Sequence, residues 1–260
     1  MSFIVKALKL DRFEPDRIVT SNIVTPFTLA ILRGLACLYA LVVIISVWAT
    51  SDTAAGYFVF FTNLTYFGLT SYLVCSTLWS FGYLRQPESD RAQWLKSGSP
   101  WWGYTHWLLY ATIITFHVVV PIVFWTLLAK NLPTGFGAWQ NASVHAVDGV
   151  FAIFELIFNR HFLQPIHSFV VAGVMVLYMF LTFIYHKTSG NWVYPFLDWS
   201  QGPIAAAYYI GIAIGLFIIY FVLLVLHKYR NKWLAGRCAK VNRGYLESIE
   251  HNESHDEEKA

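Results

Sequence analysis

Charge is what this sequence has least of. Of its 260 residues only 13% are Asp, Glu, Lys or Arg, where a water-soluble domain carries about 25%. A chain so poor in charge cannot clothe a water-facing surface, and a soluble enzyme is excluded. Cysteine is scarce as well. Cys37, Cys75 and Cys238 are odd in number and lack paired-ligand spacing, which excludes a secreted disulfide scaffold; they read as core fillers and one cytosolic thiol. The net charge is only +3 and its basic residues fall in short clusters, so no nucleic-acid partner is expected. Neither HxxxH nor HExxH spacing supports a metal at His117, His145 and Asp148, and neither a metal nor another cofactor is expected. The first 25 residues lack the continuous apolar core of a cleavable signal, so the first apolar run is expected to be retained.

What is present in abundance is apolar. Hydrophobic residues make up 57% of the chain, aromatics 18%, and the mean hydropathy is +0.49. A bilayer core needs about 20 apolar residues per helix, and six runs approach that length: 27–50, 56–79 with a fringe to Leu84, 105–128, 142–158, 168–185 and 205–227. The expected fold is therefore all-α, a polytopic bundle of six transmembrane helices over residues 27–227. A cytosolic segment 1–26 precedes it, and a basic-then-acidic cytosolic tail 228–260 follows. Lys6, Lys9, Arg12, Arg17, Arg85, Arg91, Lys96, Arg160 and the basic stretch after His227 all lie on one side of this arrangement, against only Lys130 and Lys187 on the other. Positive residues stay inside, so both termini are expected in the cytosol. Arg33 is expected to snorkel to cytosolic headgroups. Segment 1–25 reads as lying on the inner leaflet or as a poorly ordered tail.

An ionisable or polar group in such a span is a functional candidate by default. The second run holds Thr62, Asn63 and Thr65, the third His117, and the fourth His145, Asp148 and Glu155 on one helical stripe. With a rise of 1.5 Å per residue, counting from Gly56 puts Thr62 roughly 9 Å deep, and counting from Asn141 puts His145 roughly 6 Å deep. The two can share a layer, and a hydroxyl facing an imidazole is the minimum for nucleophilic acyl transfer. Asp148, one turn on, is placed to orient the ring of His145 as the acid of a triad does. Each residue has a plainer reading beside this one. Thr62 can bond the carbonyl four residues back. His145, Asp148 and Glu155 can form an interhelical polar seam, His145, Asp148 and His117 can bind a metal or relay protons, and His117 can simply pack.

The run Gly190-Asn191-Trp192-Val193-Tyr194-Pro195-Phe196-Leu197-Asp198 resembles the signature of the androgen-induced, FAR-17a-like membrane proteins, as do Phe60-Phe61-Thr62 and Val144-His145. The resemblance covers roughly residues 30–228, and the rolling stone proteins share part of the pattern. It implies an integral-membrane threonine hydrolase acting on fatty-acid esters of hydroxy fatty acids, with Thr62 as nucleophile and His145 as base. Asn63 and the Tyr194 hydroxyl are the candidates for the oxyanion donor. The expected partners are membrane lipids and the lipid-ester substrate, and the expected site is the endoplasmic reticulum or plasma membrane. The rival expectation is a non-enzymatic multipass protein, a lipid or proton-coupled transporter or a fusion and adhesion factor.

Overall fold

A computed structural model describes residues 2–51, 54–130 and 132–241, the side chains of 54–55 and 236–241 excepted. Every regular element among them is helical. Six long helices dominate: α1 (Pro26–Ala49), α2 (Phe61–Arg85), α3 (Pro100–Leu128), α4 (Gly135–Phe158), α5 (His167–Ser189) and α6 (Pro203–Val241). Five of them, all but α2, are long and apolar enough to cross a membrane. α2 has the length, at 25 residues, but its run of Thr, Ser and Tyr holds its hydropathy down. The acidic part of the tail and the Cys238 side chain fall outside the description.

Local chemistry sets the helix boundaries. The Thr25 hydroxyl accepts from the Thr28 N–H at 3.2 Å, and Pro26 starts α1 where no amide hydrogen is needed. Pro100 and Pro203 open α3 and α6 in the same way. Phe60 is extended, so α2 begins at Phe61 and not at Gly56, and Thr62 stands in its first turn. α4 is 24 residues long, not the short span read from 142 to 158, because Gly135–Ala142 is helical as well. Tyr194–Trp199 is not continuous with α6. It makes two single 3-10 turns parted at Asp198, and Gly202 at φ 65° leads into Pro203. The Ser200 N–H bonds the Asp198 carboxylate at 2.9 Å and holds its pKa below the ordinary value.

α3 is the central helix, with half of its most apolar stretch buried against 17–33% for the other four apolar helices. It packs on α2, α4, α5 and α6, while α1 lies along α2. Pro121 sits inside α3 and cannot donate to the carbonyl of His117. That carbonyl faces Gly149 of α4, where an added Cβ would lie 3.2 Å away. Past Pro121 the helix widens to a π-turn at Phe124–Leu128, and α4 has a matching π-turn at Ser143–Val147.

The N-terminal segment is not a loose tail. Val5, Leu10, Ile18 and Val19 are buried, Phe13 packs on Gly103 of α3, and Asp16 pairs with Arg160 at 2.8 Å. Of the apolar residues that suggested lipid contact, Val5, Leu8, Leu10 and Phe13 pack on the end of the bundle, while Phe3 and Ile4 stay exposed.

Candidate active site

The site lies where α2 begins. The amide N–H of Phe61, the first of the helix, donates to two tyrosine hydroxyls, Tyr178 of α5 at 3.1 Å and Tyr194 of the loop before α6 at 3.0 Å. These hydroxyls cap a helix N-terminus that has no Ser, Thr, Asp or Asn at its cap position. The Tyr178 hydroxyl spends its own proton on the Val59 carbonyl at 3.0 Å. The Tyr194 hydroxyl, held by the Phe61 N–H, stands beside Thr62, and both line the same cavity.

Thr62 and Tyr194 line a cavity of about 180 Å³ closed by Phe61, Val120, Phe124 and Tyr178. Its walls come from α2, α3, α5, α6 and the loop before α6. His145 is placed by the π-turn of α4, which packs on α2. Its ring lies flat on Phe124, centroids 3.6 Å apart with an interplanar angle of 6°, and its Nδ1 is buried without a hydrogen-bond partner. The Trp125 indole N–H holds the same turn through the His145 carbonyl at 2.9 Å. The cavity thus has Thr62 on one wall and, on another, the ring that backs His145. No hydrogen bond joins Thr62 to His145 among the described residues. Asn63 is spent on the Tyr57 carbonyl, to which its Nδ2 donates at 2.9 Å.

Asp148 turns to a different histidine. Its Oδ2 lies 2.8 Å from Nδ1 of His117, whose Nε2 lies 3.1 Å from the Thr65 carbonyl. A carbonyl only accepts, so Nε2 carries hydrogen, and the pair holds one more proton between Nδ1 and Oδ2. Both residues are buried, as are the unpartnered Asp148 Oδ1 and Tyr66 hydroxyl. The π-turn is the cause: it breaks the 3.6-residue register just before Asp148, so His145 leaves the stripe that Asp148 shares with Ala152 and Glu155. His117 is therefore a bonded partner and not mere packing.

A second polar layer lies toward the other end. Arg33 does not snorkel. It is wholly buried and bidentate on Glu155 at 2.7 and 2.8 Å, with Tyr72 and Asn159 also on that carboxylate. A planar guanidinium matches a carboxylate's two oxygens, which a headgroup contact would not need. Ser76 and His106, 2.8 Å apart, and Tyr110 and His227, 2.6 Å apart, extend this layer. Of the residues at the candidate site, Tyr178 escaped the sequence reading; a lone tyrosine in an apolar helix signals nothing without its partner.

The helices and their buried polar layers define a multi-helix chain compatible with an integral membrane protein. Residues 27–228 match the family model described as FAR-17a/AIG1-like protein, and the chain belongs to that family. No curated protein and no solved structure matches it.

Proposed function

We propose that this protein is a membrane hydrolase of lipid esters, such as fatty-acid esters of hydroxy fatty acids, with Thr62 as nucleophile and His145 as base. The observation that carries the reading is Thr62 opening on an apolar cavity with the Tyr194 hydroxyl beside it. In this reading α2 is the sixth span and its hydroxyl-rich face turns inward. Both termini are cytosolic, and the membrane is that of the endoplasmic reticulum or the cell surface.

Thr62 Oγ1 bonds to the ester carbonyl carbon as its proton passes to the imidazole of His145. The carbon–oxygen bond to the alcohol then breaks, and the alkoxide leaves with that proton. Water repeats the sequence on the acyl-threonine, releasing a fatty acid and restoring Thr62. The Tyr194 hydroxyl donates to the oxyanion at both stages. The step requires the His145 imidazole, stacked on Phe124, to come within hydrogen-bond reach of Thr62 when substrate binds. A serine/threonine-hydrolase probe that reacts covalently tests the reading: labelling should occur and should vanish in Thr62→Ala.

The second reading is a non-enzymatic transporter or adhesion factor. What favours it is the pair of buried polar couples, His117–Asp148 and Arg33–Glu155, in an apolar bundle. It expects no labelling, and proton-dependent flux instead.

A further inference from the structure

We propose that the gap between α5 and α6 at Val176 and Ala213 is where the acyl chain of the ester passes between the bilayer and Thr62; the inference rests on the hydrolase reading. Of the residues that line the Thr62 cavity, only these two are exposed, Val176 of α5 at 46% and Ala213 of α6. The pairing of the two helices explains the gap. The rings of Phe169 and Phe217, with centroids 6.1 Å apart, tie α5 to α6 on one side of it. On the other side Phe183 meets Trp199, just before α6, at 5.3 Å. Val176 follows Phe169 by seven residues and Ala213 precedes Phe217 by four, so each returns to the face that its phenylalanine presents to the seam. Between two aromatic closures the seam thus offers a valine and an alanine, which are too small to close it.

An acyl group bonded to Thr62 Oγ1 enters the space on which Thr62 opens, and that space is this cavity. Its volume of about 180 Å³ is little more than the roughly 150 Å³ that holds one benzene in an engineered apolar cavity, so about six carbons fit inside. A longer chain has to leave again, and the two exposed residues mark where. Val176 stands near the middle of α5, and both helices are apolar enough to cross a membrane, so the gap opens on hydrocarbon. No charged residue lines the cavity among those described. The chain that passes is therefore an uncharged hydrocarbon, with Met175 and Met179 as adaptable walls along its path. A long acyl chain keeps its first carbons in the cavity and its remainder in the bilayer.

The test uses the full-length protein in vesicles and two esters of one alcohol, butyryl and palmitoyl. Ala213→Trp fills the gap from α6 and should lower the palmitoyl-to-butyryl ratio of kcat/KM by about ten-fold or more. Butyryl turnover should stay close to wild type, since that chain fits behind the plug. Val176→Trp fills the gap from α5 and should do the same if Ala213→Trp does not fold. Ile214→Trp is the control: Ile214 is 56% exposed beside the gap and does not line the cavity, so the ratio should not move. An unchanged ratio in the folded gap variants, equal loss on both esters, or the same fall in Ile214→Trp overturns the inference and leaves the hydrolase reading standing. A wild type that hydrolyses neither ester overturns the hydrolase reading, and the inference with it.

Discussion

At the scale of single residues, the buried charges carry the largest stakes. Arg33 and Glu155 have no exposed side-chain surface, so either one alone would be an uncompensated charge in an apolar bundle. Glu155→Gln should destabilise the protein by about 3–5 kcal/mol, and a variant with Met at both positions should lose less than that single change. Thermal unfolding in detergent reads both. The tyrosines make a sharper contrast. Tyr194→Phe removes a hydroxyl against Thr62 and should cut kcat by about 10²–10³-fold. Tyr178→Phe removes a hydroxyl whose proton is already committed to Val59, and should cost about 1 kcal/mol of stability with turnover nearly intact. Residue type alone marked Thr62, His145, Asp148 and Glu155 as unusual. It did not mark their partners, because a partner depends on how each helix is rotated about its axis, and that rotation is set by packing between segments far apart in the chain. His117 and Asp148 are 31 residues apart, and Arg33 and Glu155 are 122 apart.

At the scale of elements, the apolar runs located the long helices, since hydropathy and length are local properties. They missed the helix ends of α2 and α4, where tyrosines and a π-turn intervene, and depth counted from an assumed helix start carried that error forward. Pro121 is the instructive case. It frees the His117 carbonyl, and Gly149 is the residue that lets α4 approach that carbonyl. Gly149→Ala would place a Cβ against backbone that cannot yield far, so α3 and α4 must part by a few tenths of an ångström. The expected cost is about 1–3 kcal/mol, read by thermal unfolding, with the His117–Asp148 bond lengthened. Deleting Ala146, an exposed residue of the π-turn, would restore α-helical register and swing His145 off Phe124. Turnover should then fall by orders of magnitude even where the fold survives.

At the scale of the whole molecule, charge sorts to one end. Arg17, Arg33, Arg160 and Arg230 converge there, and α2 finishes there at Arg85. Asp16, Glu14 and Glu155 answer only some of these charges. The Thr62 end, by contrast, has only Lys187, in the last turn of α5, and Lys130, just past α3, among the described Lys and Arg residues. Short loops rich in Lys and Arg are retained in the cytosol. If α2 crosses the bilayer with the five more apolar helices, the Glu88–Asp90 turn and the N-terminal segment face the cytosol together, and Thr134, between α3 and α4, faces the opposite side. Reporters inserted at these points should read cytosolic, cytosolic and external or lumenal, in that order. The decisive comparison is Thr134 against Glu88–Asp90, because only α3 separates them. Like readings at the two would remove α3 as a span. If α2 instead stayed on one side, Ser51 and the Glu88–Asp90 turn would read alike, and Thr62 would face water rather than the apolar cavity its reaction requires.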